Sequence, residues 1–275
     1  AIPLTLPRVL IRNSAWFLIQ REQKIHISFW RSLKIFLIGY FYGSITPGYL
    51  GQLMRILYLK EDTNEPYGKL FVNSFIEATV HTFSLYLMMF IGSLLVIDVF
   101  PMLPIGILLW ILFIILFVLY FIKPERGEKI FTLLSKGIPE RLKIHSYRFT
   151  STFYKDFPRL RKLLLPLLLG LFTWIIIFTQ EYLIVLALKL PIPYHYFLLL
   201  FPVANAAGFI PISFAGLGTR EFTAVILFST FFGIPGEKIF VVSLLGFIIT
   251  DILTGFIGFL CSITDTTTKK QVLQS

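Results

Sequence analysis

Four long apolar segments constrain the fold of this chain more than any other feature. They cover residues 71–97, 104–122, 163–188 and 239–263. A helix needs about 20 mostly apolar residues to cross the roughly 30 Å of hydrocarbon in a bilayer. Hydrophobic residues make up 56% of the chain, above the ~45–50% of ordinary globular domains. The sequence therefore predicts an all-α integral membrane protein, a polytopic helical bundle that forms a single transmembrane domain over residues 1–275.

Two basic stretches predict the orientation of this bundle. Residues 123–162 hold eleven Lys or Arg against four Asp or Glu, and residues 8–34 hold six against one. Because cytoplasmic loops of membrane proteins are rich in Lys and Arg, we expect both stretches and the C-terminus to face the cytoplasm, in a multi-pass protein of the cell membrane. The stretch 123–162 is predicted either to lie as a basic amphipathic linker on the anionic inner leaflet or to be a solvated loop.

Two further segments, residues 32–59 and 194–233, must each begin and end on one side for this orientation to hold. Each has a Pro/Gly break near its centre, TPGYLG at 46–51 and PISFAGLG at 211–218. The simplest solution is a pair of re-entrant, broken-helix hairpins, one from each face. The alternative is that the helices before the breaks cross fully and the breaks are ordinary loops.

The hairpin solution divides the chain into an inverted repeat. Its first half is residues 1–122 and its second half is residues 163–263, with the linker 123–162 between them. Broken helices at matching places in two halves point to a transport site near the bilayer midplane.

Each break is followed by a short helix with an Arg near its start, Arg55 in the first half and Arg220 in the second. A helix N-terminus carries free N–H groups and a partial positive charge, and Arg offers a planar fork of donors. These features predict an anion site for a phosphate. The alternative is that each Arg pairs with a buried acid and only holds the fold. The candidate substrate-binding residues are Arg55, Arg220, Gly48, Gly51, Gly216, Gly218, Glu221 and Asn205.

Several ionisable residues fall inside apolar segments, where a charge is costly and is expected to be paired or protonated. We expect Glu77 to pair with Arg55, and Asp251 or Glu181 to pair with Arg220. Glu221 should point about 100° away from Arg220 on a helix and be its poorer partner. The candidate intramembrane charge partners are Glu77, His81, Glu181 and Asp251. Glu77 and His81 share a helix face, which fits a hydrogen-bonded pair better than a proton relay or half a metal site.

The motifs of several enzyme classes are absent from the sequence. It has no P-loop, no G-x-S-x-G and no H-E-x-x-H motif, and its one cysteine, Cys261, cannot form a Cys-rich metal site. We therefore expect no catalytic chemistry, no cofactor and no metal. The net charge of +10 lies beside apolar segments, so we expect no nucleic-acid partner.

The two breaks carry a resemblance to a known family. TPGYLGQLMRILYLK and PISFAGLGTREFTAVILFSTFFGIP resemble the two signatures of the lysylphosphatidylglycerol synthase transmembrane domain family. The resemblance covers most of the chain and implies a flippase-like membrane protein, here a stand-alone member without the synthase domain. Gln52, Ala215 and His81 depart from residues common in the family. The family positions that carry over are Pro47, Gly48, Gly51, Arg55, Pro211, Gly216, Gly218, Arg220 and Glu221.

Residues and resemblance together predict a lipid translocase that moves a phospholipid or a lipid-linked anionic headgroup between leaflets. Two alternatives stay open: an ion-coupled transporter of a small anion, and a non-transporting protein that presents a lipid to a membrane enzyme. The expected partners are membrane lipids with a phosphate-bearing headgroup. A separate lipid-modifying enzyme and a second copy of the chain are further candidates.

Overall fold

The computed structural model describes residues 1–98, 100–121, 157–209 and 216–265, and every regular element within these ranges is helical. The basic linker up to residue 156, the break residues 210–215 with Pro211 and Ala215, and the C-terminal tail after residue 265 lie outside the described ranges. The described helices are α1 (Thr5–Glu22), α2 (Phe29–Ser44), α3 (Arg55–Thr63), α4 (Tyr67–Leu94), α5 (Met102–Phe121), α6 (Leu164–Ala187), α7 (Tyr194–Ala207), α8 (Thr219–Phe232) and α9 (Gly236–Ile263).

Three of these helices are long and apolar enough to cross a membrane. They are α4, α6 with the 3₁₀ turn before it (Leu160–Ala187) and α9, each 28 residues long. In α5 the stretch Met102–Leu116 is apolar over a shorter length. The helical, multi-pass character that the apolar segments predict is confirmed.

Proline and left-handed residues set several of the helix boundaries. Pro66, Pro193 and Pro235 each immediately precede a helix, α4, α7 and α9 respectively. A proline disfavours a helical conformation in the residue before it, and its own φ is fixed by its ring. The new helix therefore begins directly after it. In the first break, Gly48 and Tyr49 both have φ 58°, a left-handed conformation that turns the chain between α2 and α3.

The chain around each break doubles back on itself. Arg31 near the start of α2 binds Asp62 near the end of α3, with 2.5 Å between Nε and Oδ2. In the second half, Tyr196 near the start of α7 packs on Phe231 and Phe232 at the end of α8, with ring centroids 5.7 and 5.6 Å apart. Thus α2 with α3, and α7 with α8, form two helical hairpins, here called hairpin 1 and hairpin 2.

The arms of both hairpins are short. The first arm, α2, has 16 residues and α3 has nine, whereas α7 and α8 have 14 each. At 1.5 Å per residue these helices are about 14–24 Å long, less than the roughly 30 Å of a bilayer core.

Each hairpin packs on the long helix of the other half. The first arm of hairpin 1, α2, lies along α9, and the first arm of hairpin 2, α7, lies along α4, whereas α3 and α8 pack on the long helix of their own half. At the first contact Gly258 of α9 meets the backbone carbonyl of Leu37, and at the second Gly92 of α4 meets that of Leu199. A side chain at either glycine would overlap that carbonyl, so the small residue permits the close helix approach.

The helix α1 places the beginning of the first basic stretch inside the bundle. Residues 8–34 were expected to be a cytoplasmic basic stretch, yet Arg8 is buried and its Nη2 donates to the Thr250 carbonyl in the middle of α9 at 2.7 Å. The residues after Thr5 form a helix that packs on α2, α4 and α6. Counting charges could not separate an Arg in a solvated loop from an Arg inside the bundle.

Candidate functional site

A cavity of about 460 Å³ lies between the tips of the two hairpins. Six of the predicted site residues line it: Gly48, Arg55, His81, Glu181, Asn205 and Asp251. Glu77, Gly51, Gly216, Gly218, Arg220 and Glu221 are not among the described residues that line it. The cavity thus gathers residues from both halves of the chain, but it does not gather both predicted arginines.

The expected pair between Glu77 and Arg55 is present. The Arg55 Nη2 lies 2.6 Å from Glu77 Oε2, and both side chains are almost fully buried, at 2% and 3% exposed. Arg55 also donates to the Ser74 carbonyl at 3.2 Å, and its guanidinium lies 4.8 Å from the centre of the Trp16 ring. Arg55 is therefore both part of the cavity wall and a group that holds α3 on α4.

Two further arginines in the cavity wall, Arg8 and Arg12, were missed by the sequence analysis. The Arg12 Nε lies 3.4 Å from Glu77 Oε1. The Arg12 guanidinium also lies over the rings of Phe36 and Tyr40, 5.3 and 5.7 Å from their centres. The two are four residues apart on α1 and so share one helix face. That spacing was the available signal, but the charge count used both residues only as evidence that the stretch 8–34 faces the cytoplasm.

Asp251 anchors the tip of hairpin 1. It lies in a π-helical turn of α9, Ile248–Ile252, a feature that is frequent at functional sites. Tyr40 and Tyr49 donate their hydroxyls to Asp251 Oδ1, at 2.6 and 3.3 Å. The contact ties α9 to the first break.

The expectation for Glu221 was wrong. Its Oε1 lies 2.6 Å from Arg220 Nη2. Of the two predicted partners, Asp251 is more distant, at 3.9 Å from Arg220 Nη1, and no ion pair of Glu181 is found within the described residues. Glu221 is the third residue of α8, and its other oxygen accepts the Gly218 N–H at 2.6 Å. The carboxylate therefore folds back over the helix start, where the long Arg220 side chain bends to meet it. Ser243 donates to the same Glu221 oxygen.

This arrangement changes the interpretation of the second break. The helix N-terminus expected to receive an anion already holds the carboxylate of Glu221. Gly216 and Gly218 have φ 78° and 91°, so both glycines shape the turn into α8. Arg220 is buried against Phe247 and holds hairpin 2 to α9.

The remaining predicted residues take other roles. The His81 ring stacks on Trp174 with centroids 4.5 Å apart, and no hydrogen bond reaches its Nε2 within the described chain. The hydrogen-bonded pair expected between Glu77 and His81 is not among the described hydrogen bonds. Asn205 lies near the tip of hairpin 2, beside the cavity.

Unsatisfied polar atoms concentrate in this cavity wall. Buried polar atoms are normally hydrogen-bonded, so each exception calls for water or a ligand. Five such atoms in the described chain belong to residues that line the cavity: Arg8 Nε, Arg55 Nε, Ser74 Oγ, His81 Nε2 and Glu181 Oε2. The wall is thus prepared to bind a polar group.

One side of the cavity is apolar and reaches the protein surface. Leu50, Leu53 and Phe75 line the cavity and are also 64%, 40% and 42% exposed. These three residues are called the apolar rim below. A molecule in the cavity can therefore contact arginines and exposed hydrocarbon side chains at once.

Comparison with known proteins gives one match. Residues 1–258 match the family described as the lysylphosphatidylglycerol synthase TM region. No curated protein and no solved structure matched the chain. The match includes both breaks, α1 and every described residue that lines the cavity.

Proposed function

Because this chain belongs to the lysylphosphatidylglycerol synthase transmembrane family, a membrane region associated with lipid handling, we propose that it is a lipid translocase. It moves a phospholipid, or another lipid with an anionic headgroup, between the two leaflets. The observation that carries the proposal is the continuity between the arginine-lined cavity and the apolar rim.

The phosphate of the headgroup binds against Arg8, Arg12 and Arg55. Arginine forms short, charge-assisted hydrogen bonds to phosphate oxygens, often two at a time. The Nε atoms of Arg8 and Arg55 have no partner in the described chain, so each retains a donor for such a bond. Glu77, which pairs with Arg12 and Arg55, balances part of their positive charge.

The acyl or isoprenoid tails stay in the bilayer beside the apolar rim. A lipid whose headgroup alone enters the protein avoids moving its hydrocarbon through a polar cavity. A free small anion gains nothing from exposed leucine and phenylalanine at the mouth, so the rim favours a lipid over the small-anion alternative.

The two hairpins are re-entrant and belong to an inverted repeat, in which α1–α4 corresponds to α6–α9. Arms shorter than a bilayer and the crossed packing of each hairpin on the opposite long helix support this arrangement. Shifts of the hairpin tips then open the cavity to one leaflet at a time, as in transporters with broken helices.

The proposal is tested with purified protein in phosphatidylcholine vesicles that contain a trace of fluorescent phosphatidylglycerol. Dithionite added outside quenches only outer-leaflet dye, so continued quenching reports lipid movement. We expect the protein to speed this quenching, and Arg8→Gln and Arg12→Gln each to reduce the rate at least tenfold, since a charge-assisted bond contributes roughly 1.5–3 kcal/mol.

The matched control is Arg21→Gln, on the exposed part of the same helix, which should leave the rate unchanged. Wild-type vesicles that behave like empty vesicles with phosphatidylglycerol, phosphatidylethanolamine and phosphatidylcholine dyes would refute lipid translocation. Uptake of radiolabelled inorganic phosphate without dye movement would establish the small-anion transporter instead.

A further inference from the structure

Glu181 is the one acid in the cavity wall whose role the fold does not explain. It lies in the second half of α6 and is 1% exposed. No hydrogen bond reaches its Oε2, and no ion pair to it is found within the described residues. By contrast, Glu77 and Glu221 each bind an arginine, and Asp251 binds two tyrosines.

The packing around Glu181 makes room for its carboxyl group. A Cβ placed on Gly246 of α9 would lie 2.8 Å from Glu181 Cγ and 3.1 Å from its Oε1. The glycine thus lets the carboxyl lie directly on the α9 backbone. From there it faces the cavity one helical turn before Thr250 and Asp251, which line the same space.

The charged and titratable groups around Glu181 come from both halves of the chain. They are Arg8 and Arg12 on α1, Tyr40 on α2, Tyr49 in the first break, Arg55 on α3, His81 and Tyr86 on α4, Arg220 and Glu221 on α8, and Asp251 on α9. Arg220 is already bound by Glu221, and Arg12 by Glu77. Each cation nearby therefore has either an acid of its own or, for Arg8, hydrogen bonds to α9.

A buried carboxylate without a partner is costly, and uptake of a proton or a cation removes that cost. A metal cation needs several oxygen ligands. Within the described residues no group of three or more His, Cys, Asp or Glu could hold a metal ion. A proton requires only the one carboxyl group and water in the cavity.

We propose that Glu181 binds a proton when the lipid headgroup occupies the cavity and releases it when the headgroup leaves, so that lipid movement is coupled to proton movement. This inference rests on the proposed translocase function. The anionic phosphate repels a carboxylate and so favours its protonated form. Glu181 takes the proton from water on the side where the headgroup enters and releases it to water on the side where the headgroup leaves, so one proton accompanies one phosphate charge.

The first test needs no lipid movement. Infrared difference spectra between acidic and alkaline pH, recorded on protein in phosphatidylcholine vesicles, separate the C=O stretch of a protonated carboxyl from the carboxylate bands. We expect a buried-carboxyl band in the wild type that Glu181→Gln removes and Glu181→Asp retains at a shifted pH. The matched control is Glu237→Gln, at the exposed start of α9. A band unaffected by Glu181→Gln would overturn the inference, as would its absence in the wild type.

The second test uses fluorescent phosphatidylglycerol vesicles with a trapped pH dye. We expect an imposed pH gradient to change the wild-type rate of lipid movement severalfold in one direction, and lipid movement to carry protons. Glu181→Gln should remove the response to the gradient, and Glu181→Asp should restore part of it. Wild-type lipid movement that ignores the gradient would refute proton coupling alone. If the wild type moves no lipid at all, the translocase proposal fails and the coupling falls with it.

Discussion

The buried pair between Arg55 and Glu77 allows the sharpest test of the energetics. Both side chains are 2–3% exposed and in direct contact. Glu77→Gln removes this ion pair and the longer one with Arg12, at 3.4 Å. Among the described residues, the Arg55 charge then keeps the Ser74 carbonyl and the Trp16 ring as contacts. Removal of one partner from a buried pair costs about 3–5 kcal/mol. For a chain of this size that corresponds to a fall of roughly 10 °C in Tm.

The assay is thermal unfolding of the purified protein in detergent, followed by tryptophan fluorescence. The matched control is Glu65→Gln, which breaks the i,i+4 pair with Lys69 and should cost no more than about 0.5 kcal/mol. Equal shifts for the two variants would refute the argument, because burial would then make no difference to the cost of an unpaired charge.

A double variant separates stability from transport. Arg55→Met with Glu77→Leu removes both charges, and replacing a buried ion pair by apolar residues is often close to neutral. We expect it to recover only part of the lost stability, because Arg12 still lacks the Glu77 carboxylate, and to stay defective in lipid movement. Full transport by a stable double variant would assign Arg55 a structural role only.

Three further predictions concern the hairpins and the helix ends. With the single cysteine replaced by serine, Lys34→Cys and Lys60→Cys should both react with an impermeant maleimide from one side of the membrane, and labelling from opposite sides would exclude a re-entrant hairpin 1. Gly51→Ala should lower the free energy of unfolding by at least about 1–3 kcal/mol, because the methyl group overlaps the Tyr42 carbonyl. Gly106→Ala in α5, where nothing lies within 4 Å, should instead stabilise by about 1 kcal/mol, and an equal loss in both would contradict the packing. Arg31 pairs with Asp62 and also with Asp265, and Lys34 stays beside Asp265 when Arg31 is removed. Arg31→Ala should therefore cost at most about 1 kcal/mol and less at high salt, and a large loss independent of salt would show otherwise.

The elements that the sequence predicted well are those that length and composition determine. The ends of α4, α6 and α9 fall within about four residues of the ends of the predicted apolar segments. This agreement is expected, because a helix must reach a minimum length to cross a bilayer. The pair of Arg55 with Glu77 followed from the cost of an isolated charge in hydrocarbon. That cost requires a partner for Arg55, and because the apolar segments of the first half contain few acids, Glu77 was the evident candidate.

The predictions that failed concern residues whose contacts depend on how deeply the side chain is buried or on which rotamer it adopts. Arg8 and Arg12 carry the same charge in a loop or in a cavity wall, so charge counting could not place them. The helical angle between Arg220 and Glu221 was correct for straight side chains, but both residues lie in the first turn of α8 and bend toward each other. The stacking of His81 on Trp174 depends on how α4 meets α6, which the local sequence does not encode.

The exchange of packing partners between the two halves affects how the protein is synthesised. Gly92 emerges from the ribosome about 100 residues before Leu199, an interval of roughly 5–20 s at ordinary rates of translation. During that interval the close-packing surface of α4 has only lipid or the insertion machinery against it. The interval between the synthesis of Leu37 and that of Gly258 is about twice as long. Each half therefore lacks one packing partner until the other half has been made, and the first hairpin is closed only when α9 is inserted.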